Sequence, residues 1–306
     1  MNTEASGLDV PSGGDGVLAR AILVSLEGLL RALELEPLGD DRFRVVNEPG
    51  RFDRIFGGQT VAQALLAASA TVTDKDPQSL HAYFVEGGTT DHPLELEVDR
   101  VRDGRSMSTR RVTVSQRDRP LLTVIASFHT NPTSPELADP PPSVPRPDQL
   151  PTLQDWVHES PSDLRPHSRV WIEQPPPLDV RIGEAPTFLG GAPADGTRSH
   201  WMRVPRDVGD DPLLHAALLA YASDYLLLDM AFRSYPERVA APRFTSSSLD
   251  HTLWFHRPVR FDRWHLHSQQ TLAVVGHRAL VQGAIHDADG HLVASVMQEV
   301  LVRPAR

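Results

Sequence analysis

Three polar residues in the C-terminal half of this chain are of types that can do chemistry together. Asp224 interrupts the apolar run Ala222-Ser223-Asp224-Tyr225-Leu226-Leu227-Leu228. Apolar spacing from Pro212 to Phe232 predicts one helix, and an ionised carboxylate inside such a helix needs donors to satisfy it or a task that uses it. It can fix packing against a neighbouring loop or act as a base, and residue type leaves both open. Ser248 ends the triplet Ser246-Ser247-Ser248 ahead of Leu249-Asp250-His251. A hydroxyl there can donate to a carboxylate and accept from water, positioning a nucleophile without becoming one, although three serines equally suit a strand entrance. Gln298 follows Val296 by two residues and so shares its strand face. An amide there can orient a water or a carbonyl, or simply meet solvent at an edge.

Other chemistries find less support. No Gly-x-Ser-x-Gly elbow occurs, which disfavours a serine-nucleophile hydrolase, and there is no P-loop or dinucleotide fingerprint. The chain has no cysteine, which removes thiolate catalysis, disulfides and cysteine-bound zinc together. His265 and His267 would share a strand face and could bind a metal, but no third ligand motif accompanies them, so no metal and no cofactor is expected. His251 and His256 flank an aromatic run; they could touch a substrate or be satisfied structural histidines. Arg110, Arg111 and Arg257 have forks suited to phosphates and equally to ion pairs. Asp210 and His215, at the entry to the C-terminal helix, have an Asp-x-x-x-x-His spacing open to acid–base use.

The elements that must position these residues come in two similar sets. Strand Arg111–Val114, the turn Arg117-Asp118-Arg119-Pro120 and strand Leu121–Phe128 recur about 170 residues later as Val281–Ala284, Asp287-Ala288-Asp289-Gly290 and Leu292–Gln298. Each set has a helical run ahead of its strands, Val61–Thr71 in one and Pro212–Phe232 in the other, an α+β order. A further amphipathic helix is predicted over Val17–Leu35. Residues 1–16, rich in Gly, Ser and Asp, are expected to be disordered. A first domain over 17–131 and a second over 167–306 are separated by a proline-rich linker at 132–166 that includes Pro140-Pro141-Pro142. A formal charge of −10 excludes the basic face that nucleic acids or anionic membranes require. Residues 1–18 lack the basic-then-apolar order of a signal peptide, and Ala216–Phe232 is broken by Asp224 and Asp229, so a cytoplasmic protein with no membrane or nucleic-acid partner is expected. In the repeat, Gln63 is placed opposite Asp224 and Phe128 opposite Gln298, which suggests one working site and one lapsed one.

Several motifs occur in one order along nearly the whole chain: Phe56-Gly57-Gly58-Gln59 with Gln63-Ala64-Leu65, Arg102-Asp103-Gly104, Ala126-Ser127-Phe128, Tyr221-Ala222-Ser223-Asp224, Leu249-Asp250-His251 with Trp254-Phe255-His256-Arg257-Pro258, and Val293-Ala294-Ser295 with Gln298-Glu299. In these the chain resembles the acyl-CoA thioesterase II family. The resemblance implies a double hot-dog fold, two repeats each with a long helix wrapped by an antiparallel sheet. It implies hydrolysis of fatty acyl-CoA to free acid and coenzyme A, with Asp224, Ser248 and Gln298 as the catalytic set that activates a water, and a helix-start amide as oxyanion donor. A homo-oligomer, dimer or tetramer, is also implied. Two positions depart from the family: Ser248 stands where threonine is usual, and Glu86-Gly87-Gly88 where Arg-Pro-Gly is common. The alternatives are a hot-dog enoyl-CoA hydratase or dehydratase using Asp210 and His215, and a non-catalytic acyl-CoA binding protein.

Overall fold

A computed structural model describes residues 14–50, 54–134, 136–162, 164, 169–235 and 244–304. Most of the segment expected to be disordered, residues 1–13, lies outside them. Helix α1 (Gly14–Ala32) leads through β1 (Glu36–Gly39) and β2 (Arg42–Val45) to helix α2 (Gly57–Ser69). Strands β3 (Asp76–Phe84), β4 (Leu94–Asp103), β5 (Met107–Gln116) and β6 (Arg119–His129) follow. After the proline-rich stretch come α3 (Leu153–Glu159), α4 (Val170–Glu173), β7 (Asp179–Ile182) and β8 (Arg198–Arg203), then α5 (Pro212–Ser223) and α6 (Leu227–Arg233). Strands β9 (Phe244–Ser248), β10 (Asp250–Phe255), β11 (His265–Val275), β12 (Arg278–Asp287) and β13 (Leu292–Pro304) complete the chain.

All strands join one 13-stranded antiparallel sheet in the order β1-β2-β4-β5-β6-β3-β10-β13-β12-β11-β8-β7, with β9 on β13. The first-half strands occupy one side and the second-half strands the other, and β3 meets β10 at the middle with Leu80 opposite Leu253. Alternation along β5 buries Ser108, Arg110, Val112 and Val114, and along β12 buries Ala279, Val281, Gly283 and Ile285. This period of two turns one face of each strand inward, onto a helix. Helices α2 and α5 lie side by side in the hollow of the sheet, which explains why both are apolar on nearly every face and almost entirely buried. Their approach is close: a methyl group on Gly58 would come within 2.3 Å of the Tyr221 carbonyl oxygen, so only glycine fits there.

Three expectations are changed by the structure. The run Pro212–Phe232 is two helices, broken where Leu226 adopts the left-handed conformation at φ 64°. The Tyr225 carbonyl released by the break is recaptured from the sheet, Gln269 Nε2 donating to it at 2.7 Å, and Arg198 Nη2 joins the Met230 N–H on Leu226 O, at 3.1 Å. Arg198 also makes a buried ion pair with Asp229 at 2.5 Å. The strand expected over Ser246–Phe255 is likewise two, β9 and β10. The proline-rich segment, exposed along most of its length, contains α3, whose Thr152 cap and Trp156 tie it to β7 through the Thr152–Arg181 bridge and Trp156 Nε1 donating to Ile182 O at 2.9 Å. Ahead of α3, Trp201 donates to Pro145 O, His286 Nε2 to Asp139 O, and Arg257 pairs with Glu136, so second-half side chains fasten the connecting chain.

Candidate active site

The break in the second wrapped helix sets the position of Asp224. As the C-cap of α5, Asp224 no longer lies inside a continuous helix; it faces the first turn of α2, where Gly58 N–H donates to its Oδ2 at 2.9 Å. A carboxylate is disfavoured at a helix C-terminus and favoured at an N-terminus, and here one acid sits at both. Glycine at position 57 permits this approach, since a methyl group there would lie 2.9 Å from Asp224 Oδ2 and 3.0 Å from the Phe84 ring. Burial raises the Asp224 carboxyl above the usual range, opposed by His251, the Gln298 amide and the Gly58 amide. Phe56 packs edge-on against Tyr221 and Tyr225, with ring centroids 5.1 and 5.0 Å away, and makes an aromatic wall beside the acid.

Ser248 and Gln298 are brought together by a bulge. Along β9, Ser248 pairs with Val300; along β10, Thr252 pairs with Met297, so the register slips by one residue at Leu249. Such a slip turns residues on its two sides toward one sheet face. Ser248 and His251 therefore both meet the buried side chain of Gln298, whose Nε2 donates to Ser248 Oγ at 2.8 Å and whose Oε1 lies 2.5 Å from His251 Nδ1. On its other side the His251 ring meets Ser223 Oγ at 2.8 Å. His251, considered in the sequence only as a substrate contact or structural histidine, is thus part of the cluster. In the sequence it stands out only as the end of the Leu249-Asp250-His251 motif.

The repeat comparison is corrected in its second pairing. Gln63 lies in the middle of α2 and donates to Ala32 O at 2.8 Å and Val46 O at 3.0 Å, which fastens α1 and β2, so it binds backbone where Asp224 meets Gly58 N–H. Counting back from Phe84 and Phe255, which end equivalent strands, Leu80 takes the place of His251. Leu80 pairs with Ala126, so Ala126 and not Phe128 stands where Gln298 does.

The remaining candidates go to other partners. Arg110 is 1% exposed and bound to Thr71 and Asp103, which withdraws it from any phosphate. Arg111 pairs with Asp99 and Arg257 with Glu136. Asp210 pairs with Arg260, whereas His215 is buried, bonding Gly209 O through Nε2 and accepting from Phe261 N–H through Nδ1. The acid–base pair a hydratase would need is therefore not formed. His256 bonds Ser295 Oγ. His265 Nδ1 bonds Arg263 O, while His267 stands across from His200 on β8 with ring centroids 5.2 Å apart. Burial holds His200 well below its ordinary pKa and His267 at about 3, so both rings are neutral. Two surface clefts, of about 380 Å³ beside α1 and about 430 Å³ over the outer face of β11–β13, are lined by neither Asp224, Ser248 nor Gln298.

Comparison with known proteins gives the family and the fold. Residues 173–301 match a family described as acyl-CoA thioesterase, and residues 48–129 match one described as acyl-CoA thioesterase N-terminal domain. The chain is 31% identical to acyl-CoA thioesterase 2 of Haemophilus influenzae over 91% of its own length and 98% of that protein. Among solved structures it is similar to acyl-CoA thioesterase II TesB2 from Mycobacterium marinum, at 33% identity and TM-score 0.73, covering 92% of this chain and 97% of that one. A hot-dog protein from Alicyclobacillus acidocaldarius shares the fold at 21% identity and TM-score 0.69, covering 91% of this chain and 98% of that one. The 13-stranded sheet around two helices lying side by side is thus a double hot-dog.

Proposed function

We infer that this chain, which belongs to the acyl-CoA thioesterase II family, hydrolyses fatty acyl-CoA to a free fatty acid and coenzyme A, with Asp224, Ser248 and Gln298 as its catalytic residues. The observation that carries the reading is the Asp224 carboxyl, raised by burial yet held by Gly58 N–H, beside the hydrogen-bonded pair Ser248 and Gln298. A base works best with a pKa moved toward the working pH. In this reading Ser248 and Gln298 hold a water against Asp224, which takes its proton as the water oxygen bonds to the thioester carbonyl carbon. The C–S bond then breaks, the thiolate of coenzyme A leaves and is protonated, and the acid is released. The Gly58 amide is committed to Asp224, so the oxyanion takes a different donor. A non-catalytic binder has no use for a buried acid kept ionisable at such cost.

The repeats at 17–131 and 167–306, joined by 132–166, are taken as the two units of one site: the first supplies α2 and the wall at Phe56, and the second supplies the reacting groups. The family and the acidic composition support a role in fatty-acid metabolism, a cytoplasmic location and a homo-oligomer of chains. Thiol release from acyl-CoA of graded chain length, followed in the wild type and in Asp224→Asn, tests the central claim. An unchanged rate in that variant would sink it, and the chain-length profile defines the substrate.

A further inference from the structure

The Gln298 amide has two ends that differ only in which atom donates, and its usefulness depends on which way round it is held. Its Oε1 has no proton to give, so the 2.5 Å contact with His251 requires the proton to be on His251 Nδ1. With Oε1 fixed there, the NH₂ end faces Ser248 and donates to Oγ at 2.8 Å. Ser248 Oγ is then an acceptor in that bond, which leaves its own hydroxyl proton to be offered elsewhere. Rotating the amide by half a turn would reverse every step: Ser248 would donate to Oε1, its proton would be used up, Oε1 would turn toward the Asp224 carboxylate, and with the proton kept on Nδ1 two donors would confront each other at His251. Nothing on Gln298 itself selects between these states; its neighbours do, Asp224 by accepting from the NH₂ end and His251 by meeting Oε1. Both His251 and Gln298 are 0% exposed, so water cannot stand in for the missing donor. The far side of the ring is held as well: Ser223 Oγ gives its one proton to Ala220 O at 2.8 Å and so accepts from His251 Nε2 at 2.8 Å, which makes the ring a donor at both nitrogens, and Ser223 sits next to Asp224 in the chain.

We infer that His251 is a positioning residue that sets the polarity of the chain His251 Nδ1–H to Gln298 to Ser248, so that the Ser248 hydroxyl proton points toward the reacting water. The inference rests on the proposed thioesterase reading. It predicts that a donor at the place of Nδ1 suffices and that one displaced from it does not. An asparagine amide nitrogen lies near the position of Nδ1, whereas that of glutamine reaches further, toward Nε2.

The test compares His251→Asn with His251→Gln in the full-length protein, two polar variants of similar kind, by steady-state hydrolysis of one acyl-CoA. His251→Gln is expected to lower kcat by about tenfold or more, the effect of one misdirected buried hydrogen bond, with KM little changed, and His251→Asn to recover most of it. Equal rates in the two variants, or a loss confined to KM, would overturn the inference. A double-mutant cycle with Ser248→Ala separates positioning from general damage. If His251 acts through Ser248, adding His251→Gln to Ser248→Ala costs little more; a fully additive loss overturns the idea. Asp224→Asn measured alongside tells the two claims apart, since its retained activity would refute the thioesterase mechanism, whereas a dead Asp224→Asn with an active His251→Gln would refute only the role of His251.

Discussion

The two wrapped helices finish differently, and the difference separates a scaffold from a site. Helix α2 ends in ordinary fashion: its last carbonyls are met by the following backbone, and buried Arg110 reaches from β5 to Thr71 just beyond. Inward polar groups of that half, Gln59, Gln63 and Arg110, each fasten one backbone segment to another. Helix α5 stops short at a left-handed leucine, and Arg198 and Gln269 hold the broken end open. The inward polar groups beyond it, Asp224, His251 and Gln298, bond mainly to side chains or to the start of the other helix. One architecture thus accommodates two uses of buried polarity. In the first half it secures backbone, and in the second, beside Arg198 and Gln269 that do the same, it holds the groups proposed to react.

The largest test of this contrast is Asp224→Asn. Hydrolysis is expected to fall about 10³-fold, within the range of a lost general base, while stability rises. The sign follows from linkage: burial raises the folded-state pKa, so ionisation costs stability as pH rises through that value, and the neutral amide escapes the cost. A melting temperature that drops would contradict it. In the wild type, kcat/KM is expected to decline on acidification with a midpoint above the ordinary Asp value of about 3.9; a pH–rate profile checks this.

Next in size is Gly58→Ala, which forces a methyl group into the Tyr221 carbonyl and the Phe56 ring. A loss of about 3 kcal/mol is expected from overpacking at a backbone contact, measured by urea denaturation, together with lost activity because the same shift carries the Gly58 amide away from Asp224. Gln63→Met should then show the scaffold side of the comparison. It leaves the buried Ala32 carbonyl and the partly buried Val46 carbonyl without this donor and should cost about 1–3 kcal/mol, yet kcat should stay within about twofold if Gln63 only fastens backbone. A steep fall in kcat would mean that the halves are not divided as described. Smallest is Ser248→Thr, expected to leave kcat within about twofold because the hydroxyl stays and only rotamer freedom is reduced.

Much of the fold was legible in local pattern. The hairpin Gln116–Arg119 and its later counterpart share strand alternation, although the first turns on left-handed Arg117 and Asp118 and the second on Gly290, and α2 and α5 carry apolar residues on nearly every face, as wrapped helices must. Asp224, Ser248 and Gln298 were singled out as candidates by residue type and family resemblance. Their geometry was not legible. Leu226 bears no glycine or asparagine signal, so nothing local announces the break; tertiary partners on β8 and β11 stabilise it. The slip at Leu249 is equally unmarked. Gly58 and Asp224 are 166 residues apart, and their contact depends on how two helices lie together. Pairing Phe128 with Gln298 failed because one-dimensional alignment cannot count a strand from its register.

The fastened connecting chain has a kinetic consequence. Glu136, Asp139 and Pro145 are gripped by second-half side chains, so the segment leaving β6 behaves as a short, anchored tether. Docking of β3 onto β10, and of α2 onto α5, is then a unimolecular event at a high effective concentration. The pairing that brings Gly58 to Asp224 is accordingly insensitive to dilution, and each half is free to carry a different residue at equivalent places, a liberty that two identical chains meeting across the same junction do not have.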